Sequence, residues 1–161
     1  MSQQTATALE GPTTADARPK PFVFVLMPFK DEFNDTYQLG IRAACEAAGA
    51  YCERVDEQVF DGSILQRIYN QIDKADIVIA DMSGQSPNVF YETGYAHDLG
   101  KRVILLKQDT ADIPFDLKQY PHIVYGGRIV QLKSGTGGRG HRGSGTGGRL
   151  LTIDDLAKVK S

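Results

Sequence analysis

Short apolar runs alternate with segments of helix-spaced apolar residues between residues 22 and 125. Three runs, at 22–27, 77–80 and 103–106, are rich in β-branched or aromatic residues and are no longer than six residues. Runs of this length and composition are typical of strands that are covered on both faces of a sheet. Two further segments, 51–55 and 122–125, raise the prediction to five strands, the last at an edge.

Between these runs, apolar residues recur at three- and four-residue steps, the spacing of helices that bury one face. Helices are predicted from Asp35 or Thr36 to about Ala48, over 63–75 and over 89–99. The last has Ser86 in the N-cap position and Pro87 at its first residue. Strands that alternate with helices predict a mostly parallel sheet with helices on both faces, joined by right-handed crossovers. Residues 22–125 are therefore predicted to form one three-layer α/β domain.

The chain outside 22–125 has a different composition. Residues 1–21 mix Thr, Ala, Gln, Gly and Pro without periodicity, which predicts a disordered N-terminal tail. Residues 150–161 begin with Thr152 and Asp155 at capping distance and are predicted to form a short C-terminal helix.

The segment 126–149 is rich in Gly and Arg and repeats the sequence SGTGGR at 134–139 and 144–149. It has too little apolar content to bury, so a flexible segment is predicted. Its arginines leave open a nucleic-acid contact through residues 128–149. The absence of aromatic residues between the repeats favours a solvated insertion instead.

Charge and cysteine content exclude several classes of protein. The net charge of −2 and pI near 5.9 give no overall attraction to nucleic acid or to anionic membranes. The two cysteines, Cys45 and Cys52, lack metal-type spacing, and His97 has no second ligand near it, so neither a metal nor another cofactor is expected. With no leader pattern and no long apolar span, a cytoplasmic protein without membrane contact is expected.

Glu92 is the candidate catalytic residue. With 100° of turn per residue, it lies at the edge of the apolar stripe formed by Val89, Thr93, Ala96 and Leu99. It also falls in the early turns of a helix that follows a parallel strand, where open α/β sheets place their ligand chemistry. A surface glutamate whose aliphatic stem covers apolar neighbours is the alternative interpretation.

The loops that follow the first and third strands are expected to face each other across a cleft with Glu92 at its floor. Helix N–H groups near residues 85–89 suit an anion, and aromatic side chains suit a base. These features predict a pocket for a nucleoside or nucleotide. The candidate substrate contacts are Pro28, Phe29, Ser83, Gly84, Asn88, Tyr91 and Asp116.

A carboxylate near the C1′ atom of a sugar can attack it or stabilise an oxocarbenium-like transition state, while a second acid assists the leaving group. Asp81, at the end of the third strand, is the predicted second carboxylate, and Asp116 is a further candidate. The alternative for Asp81 is that it orders its own loop, as Asp residues at strand ends often do.

Four segments, DIVIAD at 76–81, PNVFYETGYA at 87–96, LGK at 99–101 and PFDL at 114–117, resemble the nucleoside 2-deoxyribosyltransferase-like family. The resemblance implies a flavodoxin-like fold, a nucleophilic role for Glu92 and a homo-oligomer. In addition, PNVFYE resembles the TIR-like branch of bacterial defence systems, which implies cleavage of NAD or a nucleotide. A catalytically silent nucleotide-sensing module is the remaining alternative.

Overall fold

The computed structural model describes residues 19–57, 63–109, 117, 120 and 122–126. The predictions for the N-terminal tail, for the Gly/Arg-rich segment beyond residue 126, for the C-terminal helix and for Asp116 fall outside these residues. The predicted domain boundaries at those places therefore remain predictions.

Five strands form one all-parallel sheet, as the apolar runs predict. They are β1 (Phe22–Leu26), β2 (Tyr51–Arg54), β3 (Ile77–Asp81), β4 (Arg102–Lys107) and β5 (His122–Val124). Their order across the sheet is β2-β1-β3-β4-β5, with every neighbouring pair parallel. The chain moves to one side of β1 for β2 and to the other side for β3, so the strand order reverses between β1 and β3. Open α/β sheets bind their ligands at such a switch point.

The helices differ in detail from the prediction. The first is irregular: a 3₁₀ turn, Asp31–Phe33, precedes a π-helical stretch, Thr36–Arg42, which continues as α1, Ala43–Ala47. Asp35 has helical backbone angles and makes no capping bond, so the predicted cap there is wrong.

The other two main helices begin close to the predicted residues. After a 3₁₀ turn at Val55–Glu57, α2 covers Ile64–Lys74, and α3 covers Pro87–Asp98. Ser86 occupies the N-cap position of α3 with an extended backbone, but its side chain makes no capping hydrogen bond. The helix start thus depends on Pro87, whose fixed φ suits a first helical position.

The core has two layers because side chains alternate across the strands. Val23 and Val25 of β1 pack on one face of the sheet with residues of the π-helical stretch and α1. Phe24 and Leu26 pack on the other face with α2 and α3. Leu99 was predicted on the buried stripe of α3, yet it is 39% exposed because it lies at the C-cap, beyond the last helical turn.

Both cysteines are buried in the layer that contains α1, and both are free thiols. Among the helices that the structure describes, none is long and apolar enough to span a bilayer.

Candidate functional site

A cleft of about 790 Å³ opens at the carboxyl edge of the sheet, on the side of α2 and α3. The end of β1 and the loop 28–30 form one side, and the loop 84–88 with the first turns of α3 forms the other. Residues from the beginning of α2 complete it. The cleft therefore lies at the switch point between β1 and β3, where the two loops were predicted to face each other.

The loop between β3 and α3 has an unusual backbone. Gly84 and Gln85 both have positive φ angles, +76° and +50°. A Cβ atom on Gly84 would lie 3.1 Å from the Phe33 ring and 3.8 Å from Pro28, so the glycine allows this loop to pack closely against the loop that follows β1. A positive φ at a non-glycine residue such as Gln85 is uncommon and is a feature of functional loops. This close packing fixes the separation of the two sides of the cleft.

Glu92 lines the cleft and is 8% exposed. Burial in this apolar surrounding raises the pKa of its carboxyl group to about 7. Among the described residues, no ion pair involves Glu92. The carboxylate is therefore buried at the cleft wall, and no described residue supplies an opposite charge to compensate it, an arrangement that is common for catalytic acids and bases.

Large apolar side chains surround the mouth of the cleft and remain accessible to solvent. Tyr91 is 68% exposed and Phe29 is 53% exposed, and Ile64 and Leu65 of α2 are also exposed. All four line the cleft. Their rings and methyl groups offer a surface suited to a flat heteroaromatic ring.

The mouth combines predicted and unpredicted residues. Tyr91, a predicted substrate contact, lines the cleft with a largely exposed side chain. Ile64 and Leu65 were not among the predicted substrate contacts, yet both are exposed in the first turn of α2 and line the cleft. The sequence contained one sign of this exposure. Ile64 and Leu65 are adjacent at the start of the helix, and a single buried helix face does not fully cover two adjacent side chains.

Asp81 and Ser83 lie behind the cleft and do not line it. The Asp81 carboxylate accepts a hydrogen bond from the Ser83 N–H at 2.9 Å and another from the Tyr125 hydroxyl at 2.8 Å. The Ser83 hydroxyl oxygen accepts the N–H of Gln108 at 2.9 Å. These bonds connect the carboxyl ends of β3, β4 and β5. Tyr125 and Gln108 have no sequence signal that would have linked them to Asp81.

The predicted site residues therefore separate into three groups. The first group lines the cleft and comprises Pro28, Phe29, Gly84, Asn88, Tyr91 and Glu92. Asp81 and Ser83 form the second group, in the buried network, and Asp116 falls outside the described residues.

The cleft carries little charge. Of the described residues that line it, Lys30 and Glu92 are the charged ones, and Lys30 has an exposed side chain 3.9 Å from Glu32. Within the described part of the chain, no group of three His, Cys, Asp or Glu side chains could hold a metal ion. The arrangement of the described residues thus offers one buried carboxylate, exposed aromatic and aliphatic surface, and one exposed lysine.

Comparison with solved structures shows similarity to two deoxyribosyltransferases. A 2-deoxyribosyltransferase from the bacterium Bacillus psychrosaccharolyticus has 15% sequence identity and a TM-score of 0.56, and the match covers 70% of this chain and 90% of that chain. A 2-desoxiribosyltransferase from Leishmania mexicana has 24% identity and a TM-score of 0.49, with 57% of this chain and 67% of that chain covered. No protein-family model and no curated protein matches the sequence. The chain has a nucleoside 2-deoxyribosyltransferase-like fold, which confirms the resemblance at the level of the fold.

Proposed function

We propose that this protein is an enzyme that breaks the N-glycosidic bond of a nucleoside, with Glu92 as its nucleophile. The observation that supports this most strongly is a buried carboxylate in the first turns of α3, on the wall of a cleft at the switch point of the sheet. The likeness in fold to a bacterial 2-deoxyribosyltransferase is consistent with this chemistry.

In the proposed first step, a Glu92 carboxylate oxygen attacks C1′ of the sugar. The new C1′–O bond forms as the C1′–N bond breaks, and the electron pair of the broken bond leaves with the base, which takes a proton from solvent. In the second step, a water molecule or the ring nitrogen of another base attacks C1′ and loses its proton to solvent, while the C1′–O bond breaks and Glu92 is released as a carboxylate. Water as the acceptor gives hydrolysis, and a second base gives transfer.

The low charge of the described lining supports an uncharged nucleoside as the substrate, since the phosphate of a nucleotide or of NAD would depend on the N–H groups at the start of α3. A phosphate buried in a protein is normally paired with arginine, lysine or several N–H donors. The described lining includes a single cation, Lys30, whose side chain is largely exposed. The exposed rings of Phe29 and Tyr91 supply surface for the base.

Asp81 takes a positioning role in this proposal. Both of its oxygens accept hydrogen bonds from within the protein, and its side chain is fully buried. Asp81 therefore orients the loop that precedes α3, and the leaving base takes its proton from elsewhere.

The test is chromatographic detection of free base after incubation with 2′-deoxyadenosine, 2′-deoxyuridine, adenosine, dAMP or NAD, each with and without cytosine as acceptor. We expect base release from a 2′-deoxynucleoside by the wild-type protein. Glu92→Gln keeps the shape of the side chain but removes the nucleophilic oxygen, so kcat should fall on the order of 10³-fold or more.

The matched control is Glu46→Gln, the same change at an exposed position of α1, which should leave turnover unchanged. Full turnover by Glu92→Gln would contradict the mechanism. If no substrate yields product while one of them raises the melting temperature, the result would favour a nucleotide-sensing module that binds without catalysis. Release of nicotinamide from NAD alone would favour the TIR-like alternative.

A further inference from the structure

A buried arginine lies at the carboxyl end of β2, beside the cleft. Arg54 is 4% exposed and is paired in register with Val25 of β1, close to the point where β1 ends and the loop 28–30 begins. Arg54 is not among the described residues that line the cleft, although the residue after it, Val55, is. An effect of this arginine on a ligand is therefore indirect and passes through the residues that it contacts.

The guanidinium group of Arg54 connects three parts of the chain. Its Nε and Nη2 atoms donate to the two carboxylate oxygens of Asp56, each at 2.5 Å. The Nη2 atom also donates to the side-chain oxygen of Asn34 at 2.9 Å. The guanidinium carbon lies 4.5 Å from the centre of the Tyr37 ring, within the range of a cation–π interaction. Arg54 thus fixes Asn34 and Tyr37 relative to β2.

This connection is directional, which an apolar side chain could not reproduce. A buried ion pair often adds no more to the net stability of a protein than apolar side chains of similar volume. The planar guanidinium group instead holds its partners at fixed angles, because its N–H groups form a rigid fork. The feature that distinguishes Arg54 from an apolar residue is therefore the placement of Asn34 and Tyr37.

The 3₁₀ turn Asp31–Phe33 joins this connection to the cleft. The turn is three residues long, and the Phe33 N–H donates to the Lys30 carbonyl at 2.9 Å. Lys30 lines the cleft, and its side chain makes no capping hydrogen bond to the turn. A single 3₁₀ turn has little stability of its own. Asn34 follows the turn directly, so its bond to Arg54 holds the end of the turn and, through the turn, the loop before it.

We propose that Arg54 is a positioning residue that orders the loop 28–30 before a substrate binds, acting through Asn34 and the 3₁₀ turn. Phe29, at the centre of this loop, is 53% exposed and offers its ring to the base of the substrate. Ordering a loop during binding costs free energy, so a loop that is held in advance improves affinity. This inference rests on the proposed function.

The proposal predicts an effect on binding and none on the bond-breaking step. Glu92 is carried by α3, which packs on the opposite face of the sheet from Tyr37. Loosening of the loop 28–30 lowers the fraction of the protein that is ready to bind, so KM rises by the same factor. The value of kcat stays unchanged, because it is measured with the substrate bound and the loop in place.

The experiment measures KM and kcat for 2′-deoxyadenosine with wild type, Asn34→Ala and Asn34→Asp. Asn34 is exposed, so its substitution should leave the fold intact. Asn34→Ala removes the acceptor of one charge-assisted hydrogen bond and should raise KM about three- to tenfold at unchanged kcat. Asn34→Asp keeps an acceptor oxygen for Arg54 and should retain the wild-type KM.

Arg54→Lys tests the other partner of the same bond. Lysine keeps the charge but lacks the fork that donates to Asp56 and Asn34 together, so KM should rise at least as much as in Asn34→Ala. The double variant of Arg54→Lys with Asn34→Ala should show no further increase over Arg54→Lys alone, since the bond is already lost.

Gln38→Ala is the matched control. Gln38 is exposed on the π-helical stretch, and its side-chain oxygen accepts a hydrogen bond from Arg42 at 3.4 Å. The substitution therefore removes an amide acceptor from an arginine on the same element without touching Arg54, and it should leave KM unchanged.

Amide hydrogen exchange of Phe33 needs no substrate. Its N–H is bonded to the Lys30 carbonyl, so it exchanges when the turn opens. Asn34→Ala should accelerate this exchange by about the factor by which it raises KM, whereas Asn34→Asp and Gln38→Ala should match wild type. An unchanged KM, a lowered kcat or an unchanged Phe33 exchange in Asn34→Ala would overturn the inference. If wild type acts on no nucleoside, the proposed function fails, and the Phe33 exchange still decides whether Arg54 orders the loop.

Discussion

The end of β3 and the beginning of α3 each bury a carboxylate, and the two environments are very different. Asp81 is fully buried and accepts hydrogen bonds from Ser83 and Tyr125. Glu92 is nearly as buried, lines the cleft and makes no ion pair with a described residue. Burial raises the pKa of both groups, and only for Asp81 do hydrogen bonds act in the opposite direction. Burial alone therefore does not distinguish the two carboxylates, whereas their hydrogen-bond partners do.

The network around Asp81 extends across three strands. The Ser83 hydroxyl lies 3.3 Å from the Tyr125 hydroxyl, which donates its proton to Asp81, and Ser83 also accepts the Gln108 N–H. Each polar group named in this network has a hydrogen-bond partner. The network therefore stabilises the base of the loop that carries Gly84 and Gln85. The contrast with Glu92 predicts that changes at Asp81 alter stability and that changes at Glu92 alter chemistry.

The largest effect on stability is expected for Asp81→Ala. The substitution leaves the Ser83 N–H and the Tyr125 hydroxyl without their acceptor in a buried site, which should cost about 2–4 kcal/mol of unfolding free energy. Urea denaturation measures this loss. Asp98→Ala, at an exposed position of α3, should stay within about 0.5 kcal/mol of wild type. Wild-type stability combined with lost turnover would instead indicate that Asp81 acts on the substrate.

The next effect concerns the dependence of activity on pH. A nucleophilic carboxylate must be ionised, and the pKa of Glu92 in the free protein is about 7. The value of kcat/KM should therefore rise with pH up to about 7 and should fall about tenfold for each pH unit well below it. Initial rates between pH 5 and pH 9 measure this limb. An activity that stays constant down to pH 5 would contradict an ionised Glu92 as the reactive group.

A smaller effect is expected on the pH dependence of stability. The pKa of Glu92 is higher in the folded protein, about 7, than in an unfolded chain, so the folded state binds the proton more tightly. Stability should therefore fall as pH rises from about 4.5 to 7 and should stay lower above that range. Glu92→Gln removes this cost, so at pH 8.5 it should be more stable than wild type by on the order of 1–3 kcal/mol.

Chemical denaturation at pH 5 and pH 8.5 tests this expectation. The two proteins should have nearly equal stability at pH 5, where Glu92 is protonated. Glu46→Gln should show no such difference between the two pH values. A Glu92→Gln variant that loses stability at pH 8.5 would mean that the ionised carboxylate has a stabilising partner.

Much of the fold could be predicted because its signals are local. The β-branched runs predicted the strands, and the helical spacing predicted which side of α3 is buried, with Val89, Thr93 and Ala96 inside. The strand and helix alternation predicted a parallel sheet, and the register of β1 with β3 confirms parallel pairing. The irregular first helix was not predicted, since the apolar spacing of residues 37–45 indicates an ordinary helix whereas the structure has a π-helical stretch there.

The candidate site was predictable only in part. Glu92, Pro28 and Phe29 lie near strand ends that the apolar pattern located, so their position at the cleft could be inferred. Tyr125 could not be found in this way. It acts through a hydrogen bond to a residue on another element, and no spacing along the chain encodes that contact.

The sequence by itself determined the alternation of elements, the sheet edge that carries the site and the helix position of Glu92. These properties depend on which residues are apolar and at what period they recur. Only the tertiary structure decided that Asp81 is a hydrogen-bonded acceptor that does not line the cleft, and that Glu92 lines the cleft without a charge partner among the described residues. The physical reason is that the pKa and the reactivity of a carboxylate depend on the hydrogen-bond donors and the solvent around it. Distant parts of the chain supply those surroundings.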